Sequence, residues 1–174
     1  RHAVTQIAAI AVDGSLTELE CFQAKVTFGA LEGTRAALNR QKYDPAVWAR
    51  EGRRADEVAR EFREFLNRHA AIERVGKRAT PYRLAQVAGH NAAEFDVPFL
   101  LAWYQRQKLF CPIAHEVLCT LQRARWWFLE HPEPPPPENF KLGTLCNYFG
   151  IPLGENAHDA LADVRATVEL YRLL

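Results

Sequence analysis

An α/β sandwich built on a mixed sheet is the fold this sequence predicts, and three observations predict it. Two runs of strand length, "AVTQIAAIAV" and "LTELECFQAKV", flank the turn residues Asp13, Gly14 and Ser15 and read as an antiparallel hairpin. Downstream, helical stripes alternate with short β runs, the pattern of helices packed on a sheet. The chain has 174 residues, 48% hydrophobic and 25% charged, enough for one domain, residues 1–174, with a full core.

After the hairpin, Gly29 and Gly33 bracket a break, followed by a short helix around 34–40 and a longer one from about 55 to 70. In the longer helix Val58, Phe62, Phe65 and Leu66 recur at helical spacing between charges, which makes them core residues. "RLAQVAGH" then reads as a strand and "AAEFDVPFLLAWYQRQ" as a helix from Ala92, with Asn91 as its N-cap. "HEVLCT" is a further strand, and residues 121–130 a further helix. The four consecutive prolines of "HPEPPPPEN" cannot continue that helix and form an extended exposed loop, either a spacer or a proline-motif ligand. "KLGTLCNYFG" is a short helix closed by Gly150, and "HDALADVRATVELYRLL" a final helix. No internal repeat or second domain is visible.

Composition narrows the function. Lys and Arg number 22 against 21 Asp and Glu, so nucleic-acid binding would depend on a local patch rather than on net charge. The four cysteines are widely spaced, form no CxxC pair and suit reduced core thiols of a cytoplasmic protein, not a zinc site. No stretch approaches membrane-span length, and no signal segment opens the chain. The sequence begins at Arg1 and contains no Met. We therefore expect it to be part of a longer translation product.

One residue stands out. On a helix from Ala92, Asp96 would have Ala92, Ala93, Phe99 and Leu100 as neighbours, and an ionised carboxylate on such an apolar face needs a hydrogen bond, a cation or a metal. A second carboxylate lies in the last helix. His158 and Asp163 are five residues apart, roughly 140° around a continuous helix at about 100° per residue, so they cannot share a face. The spacing works if Gly154 to Ala157 is a loop that delivers His158 while Asp163 projects from the first turns.

"HNAAEFD" at 90–96, "KLGTL" at 141–145 and "HDALAD" at 158–163, in this order after a leading hairpin, resemble the DEDDh (DnaQ-like) 3′-to-5′ exonucleases. That group includes the proofreading epsilon subunits of bacterial DNA polymerase III, and the resemblance runs from Thr5 to Leu174. It implies an RNase H-like fold and removal of nucleoside monophosphates from the 3′ ends of single-stranded DNA or RNA with two divalent metals, Mg²⁺ or Mn²⁺. It further implies that Asp96 and Asp163 are metal carboxylates, that His158 is the general base, and that a polymerase subunit is a candidate partner. The chemistry wants these residue types: hard carboxylate oxygens for the metals, and an imidazole able to take a proton from water near neutral pH.

Three neighbours admit two readings each. Phe95 either packs in the core or offers a face to the terminal base. His90 either ends its strand in a structural hydrogen bond or contacts substrate, and Asn91 is a cap, a substrate contact, or both. The family's first motif, an Asp-x-Glu strand central to the sheet, is missing, and Asp13 in the hairpin turn does not replace it. Either that strand lies upstream of Arg1, leaving sheet edges unpaired here, or the chain is a catalytically inactive interaction module of a polymerase or nucleic-acid complex. The choice of DNA or RNA depends on contacts near the 2′-OH that the sequence does not place.

Overall fold

A computed structural model describes residues 3–29, 38–39, 43–153 and 159–174. Strands β1 (Gln6–Val12) and β2 (Glu18–Lys25) pair antiparallel, with Ile10 opposite Cys21. Their turn is fixed by Asp13, whose Oδ1 accepts from the backbone N–H of Ser15 and Thr17, both at 2.9 Å, and from the Ser15 hydroxyl at 2.7 Å. This is the local role that places Asp in turns. Of the short helix expected over 34–40, residues 38–39 are helical and the others lie outside the described residues.

Helix α1 (Pro45–Glu51) was not anticipated, although its signal is plain: Asp44 caps it, accepting from Ala46 N–H at 2.8 Å, and Pro45 opens it where no N–H is needed. Helix α2 (Ala55–Arg68) carries the expected stripe, with Val58, Phe62, Phe65 and Leu66 all buried. Strand β3 (Ile72–Val75), too short to show a period, pairs antiparallel with β4 (Pro81–Gly89). Helix α3 (Asp96–Arg106) leads to β5 (Ile113–Cys119), parallel to β4. Helices α4 (Thr120–Glu130), α5 (Leu142–Tyr148) and α6 (Ala160–Leu173) complete the described chain.

The result is α/β, with helices flanking strands in both parallel and antiparallel pairing. Among the described residues the strands form two separate ladders, β1-β2 and the mixed β3-β4-β5. Helix α2 packs on both β2 and β4 and joins them: the ring of Phe22 on β2 lies 5.0 Å from Phe62 and 5.8 Å from Phe65, centroid to centroid. Tyr104 of α3, almost wholly buried, donates its hydroxyl to Ala59 O of α2 at 2.9 Å, which ties α3 into the same core. A second core joins α4, α5 and α6 through Ala124, Phe128, Leu145, Cys146, Ala166 and Leu170.

Two expectations need correction. The helix does not begin at Ala92 and Asn91 is not its N-cap: α3 starts at Asp96 with Phe95 in the cap position. The reason is Pro98. In a helix from Ala92 it would lie in the interior, where its ring clashes with the carbonyl of Glu94 and a hydrogen bond is lost, whereas in the first turn a missing N–H costs nothing. The cysteines are all free, but only Cys111 and Cys146 are buried; Cys21 is exposed because it falls on the outward side of β2 with Leu19 and Gln23. No helix among the described residues is long and apolar enough to cross a membrane.

Candidate functional site

The chain leaves β4 through a tight reversal. A Cβ on Gly89 would fall 2.6 Å from the Cβ of Ala92, so only glycine allows the close approach. Asn91 takes a left-handed conformation, φ 61°, which asparagine tolerates better than most residues. Its carbonyl accepts from the N–H groups of Glu94 and Phe95, each at 3.2 Å. Asn91 thus caps a turn through its backbone, and Asp96 is set at the mouth of α3 rather than along its flank.

His90 is spent on architecture. Its Nε2 is 2.9 Å from Phe140 O and its Nδ1 is 3.0 Å from the hydroxyl of Thr120. A carbonyl can only accept, so Nε2 carries the hydrogen and Nδ1 accepts from Thr120, a neutral tautomer that burial favours by lowering the imidazole pKa. The contact binds the end of β4 to the start of α4 and to the segment before α5. Of the two readings of His90, the geometry supplies the structural hydrogen bonds; both nitrogens are engaged within the protein.

Phe95 is 59% exposed, which rules out core packing for its ring. It leans on Phe99, with centroids 4.8 Å apart and planes tilted by 37°, and the pair presents an open aromatic surface beside Asp96. Asp96 itself keeps an open surface, yet protein surrounds its carboxyl enough that burial raises its pKa above the ordinary carboxylate range. The first-turn N–H groups of α3 favour an anion there, but the desolvation outweighs them. The carboxylate makes no hydrogen bond to another side chain and no ion pair among the described residues.

The second carboxylate is set by α6. Asp159 caps that helix: its Oδ1 accepts from Leu161 N–H at 3.2 Å, and also from Gln6 at 3.1 Å and Gln23 at 2.9 Å. One capping oxygen thereby fastens the start of α6 across both strands of the hairpin, a role not foreseen in "HDALAD". Asp163 follows in the first turn, half-buried, close enough to the buried thiol of Cys146 that its charge helps burial push that thiol up to about 11. His158 lies outside the described residues. The segment 90–96 therefore brings His90, Asn91, Phe95 and Asp96 together, and Asp163 is carried by a different element.

Among the described residues no group of three or more His, Cys, Asp or Glu side chains could hold a metal ion. The donors present still fit a hard divalent cation in kind: Asp96 offers carboxylate oxygens that reach solvent and have no cationic side chain among the described residues to compensate them. Two carboxylates do not complete a cage. Phosphate, water and further carboxylates would have to supply the remaining ligands.

The family model described as Exonuclease, RNase T, matches residues 70–171, more than half of the chain. A search of curated protein sequences gives no match. Among solved structures, the fold is similar to that of Escherichia coli Exonuclease I in complex with a dT13 oligonucleotide, with a TM-score of 0.76, 22% identity, and coverage of 97% of this chain and 36% of that one. It is similar also to the ExoI/SSB-Ct complex (TM-score 0.73, 20% identity, 97% and 36% covered). A zinc-ion-bound form of the E. coli ExoI–ssDNA complex matches likewise (TM-score 0.75, 22% identity, 97% and 36% covered). The chain thus spans about a third of the length of these proteins. The architecture they share with it is RNase H-like.

Proposed function

Given that this chain belongs to the exonuclease family, we propose that it is a metal-dependent 3′-to-5′ exonuclease domain of the DEDDh kind, hydrolysing phosphodiesters at single-stranded 3′ ends and releasing nucleoside monophosphates. The observation that carries the reading is Asp96: a partly enclosed carboxylate whose pKa is raised by burial, with no partner among the described side chains, next to an open aromatic pair. A carboxylate kept in that condition costs stability unless a cation completes it.

In this reading Asp96 and Asp163 hold Mg²⁺ or Mn²⁺. Such ions, when bound, supply charge stabilisation for the attacking and leaving oxygens of the displaced phosphate. The protein's own residues do the positioning. Phe95, backed by Phe99, stacks the terminal base and brings the last phosphodiester to the mouth of α3. The first-turn N–H groups of α3 add positive dipole toward the phosphate. Asn91 and His90 act on substrate indirectly, by fixing the path of the chain between β4 and α3. His158, which precedes α6 in the sequence, accepts the proton of the attacking water.

Residues 1–174 then form one exonuclease domain that needs a further strand. Support for this comes from the two separate ladders: among the described residues β1 pairs only with β2, and β4 past Ala85 pairs only with β5. A strand bearing Asp-x-Glu and pairing with those free edges would join the ladders into one sheet and add the missing carboxylates. Single-stranded DNA is the favoured substrate because Exonuclease I, the protein of similar fold, is seen with such oligonucleotides. RNA ends are the second choice. Kinship with polymerase proofreading subunits is retained from the motifs; a partner such as the SSB C-terminus is suggested by the ExoI/SSB-Ct complex. Calorimetric titration of Mg²⁺ and Mn²⁺ into the full-length protein tests the reading. Binding should weaken at least tenfold in Asp96→Asn, and equal binding by both proteins would remove Asp96 from the site.

A further inference from the structure

A cleft of about 480 Å³ lies away from Asp96, between α2, the start of β4 and the segment entering β5. Phe110 and Pro112 form one side, Tyr82 and Arg83 another, and Arg63 and Asn67 of α2 a third. None of its lining residues is acidic. Two aromatic rings are left open to solvent there, Tyr82 at 43% and Phe110 at 65% exposure. Arg63 is half-buried and makes no hydrogen bond or ion pair among the described residues, whereas Arg83 is engaged with Glu73 at 2.7 Å, an exposed pair that water screens. An unpaired guanidinium on a partly buried wall is an anion site by charge complementarity.

We infer that this cleft binds a nucleotide of single-stranded nucleic acid several residues away from the strand's reacting end, with the base stacked on Tyr82 and Phe110 and its phosphate on Arg63. The volume suits a nucleotide. Open aromatic faces take any base, Arg takes the phosphate, and the Asn67 amide can both donate to and accept from a base edge. A run of acidic residues alone would use the arginines but has no flat face to stack on the two open rings. Asp96 and the cleft lie toward opposite ends of α3, whose 11 residues span roughly 16 Å at 1.5 Å per residue. A strand of one or two nucleotides held at Asp96 is shorter than that length, while a longer one can span it. The inference rests on the nuclease reading for the direction of the strand, but the binding itself can be measured without catalysis.

The test uses the full-length protein in EDTA, where no cleavage occurs, and fluorescein-labelled oligothymidylates of about two and about fifteen nucleotides. The double variant Tyr82→Ala/Phe110→Ala and the variant Arg63→Gln should each bind the long oligonucleotide roughly 10- to 100-fold more weakly, as loss of base stacking or a phosphate contact implies. Hydrolysis of the short one in Mg²⁺ should be unchanged. Photocrosslinking with a 5-iodouracil strand should label peptides containing Tyr82 or Phe110. Unchanged long-strand affinity, or crosslinks only elsewhere, overturns the proposal. So does an acidic glutamate-rich peptide whose binding, unlike that of the oligonucleotide, depends on these residues. If the wild type binds long strands through the cleft but never cleaves with metal, the cleft stands and the nuclease reading falls. Cleavage with no effect of the variants on long-strand binding gives the reverse.

Discussion

Replacing Phe95 with alanine separates a substrate-binding ring from a structural one. The ring is 59% exposed, so about two-fifths of its surface is buried, and at about 3 kcal/mol for full burial of a Phe its removal should cost the fold roughly 1 kcal/mol. Stacking of a base is worth about 1–3 kcal/mol, and each 1.4 kcal/mol is tenfold in affinity, so KM for a single-stranded end should rise about 5- to 100-fold. Phe99 survives in the variant and offers a tilted ring 4.8 Å away from the lost one, which argues for the lower half of that range. The assay is steady-state hydrolysis of a 5′-labelled oligonucleotide, with urea unfolding of the same preparations. A rise in KM at little stability cost is the expected result. An unchanged KM, or a loss of activity that only tracks unfolding, would refute the placement of a base on Phe95.

Other outcomes follow from the same geometry. Burial raises the Asp96 pKa, so its ionisation opposes folding as pH rises through the folded value; Asp96→Asn should raise the thermal midpoint of the metal-free protein at neutral pH while abolishing cleavage, checked by calorimetry in EDTA. The depressed pKa of His90 means that the unfolded chain takes up a proton first; this contribution to stability is complete above about pH 6.5 and declines as pH falls through that value toward the lower folded one, and His90→Phe should remove that slope from denaturation measured across pH. His90→Ala strips the fully buried Thr120 hydroxyl and the Phe140 carbonyl of their partner and should cost about 2–4 kcal/mol by urea denaturation. Glu20 is held down to about 2 by Arg68 and His69, so their contacts stabilise the fold above about pH 4.5 and are lost as pH falls toward 2, a dependence that Glu20→Gln should erase. His158→Ala should lower turnover by about 10²- to 10⁴-fold and abolish the low-pH limb of the rate profile, with metal affinity nearly unchanged.

Much of the architecture was legible in the residues because long periodic patterns leave few alternatives. The stripe of Val58, Phe62, Phe65 and Leu66 made α2 and its part of the main core readable, and the Asp13 turn made the hairpin readable. The failures have equally local causes. Apolar pattern alone ran the helix of Asp96 back to Ala92, and the fixed φ and missing N–H of Pro98 overruled it. Strand β3 offers four residues, too few to show alternation, and is held in place by its pairing with β4. The Asp44-Pro45 start of α1 was present as a local signal and went unread. Within the site, residue type marked Asp96 and Asp163 as candidates, while the exposure of Phe95 and the hydrogen-bond partners of His90 came only with the structure. Neither quantity exists in a one-dimensional pattern. Asp159 illustrates the same limit: its cap was local, while its hold on Gln6 and Gln23 spans more than a hundred residues of sequence.

Hydrolysis of a 5′-labelled single-stranded oligonucleotide by the full-length protein, with Mg²⁺ or Mn²⁺ and in excess EDTA, tests the central claim most directly. The account predicts progressive shortening from the 3′ end with either metal, none in EDTA, and a near-total loss in Asp96→Ala and in Asp163→Ala preparations whose circular dichroism matches the wild type. Wild-type rates in EDTA, or full activity in either folded variant, would contradict it.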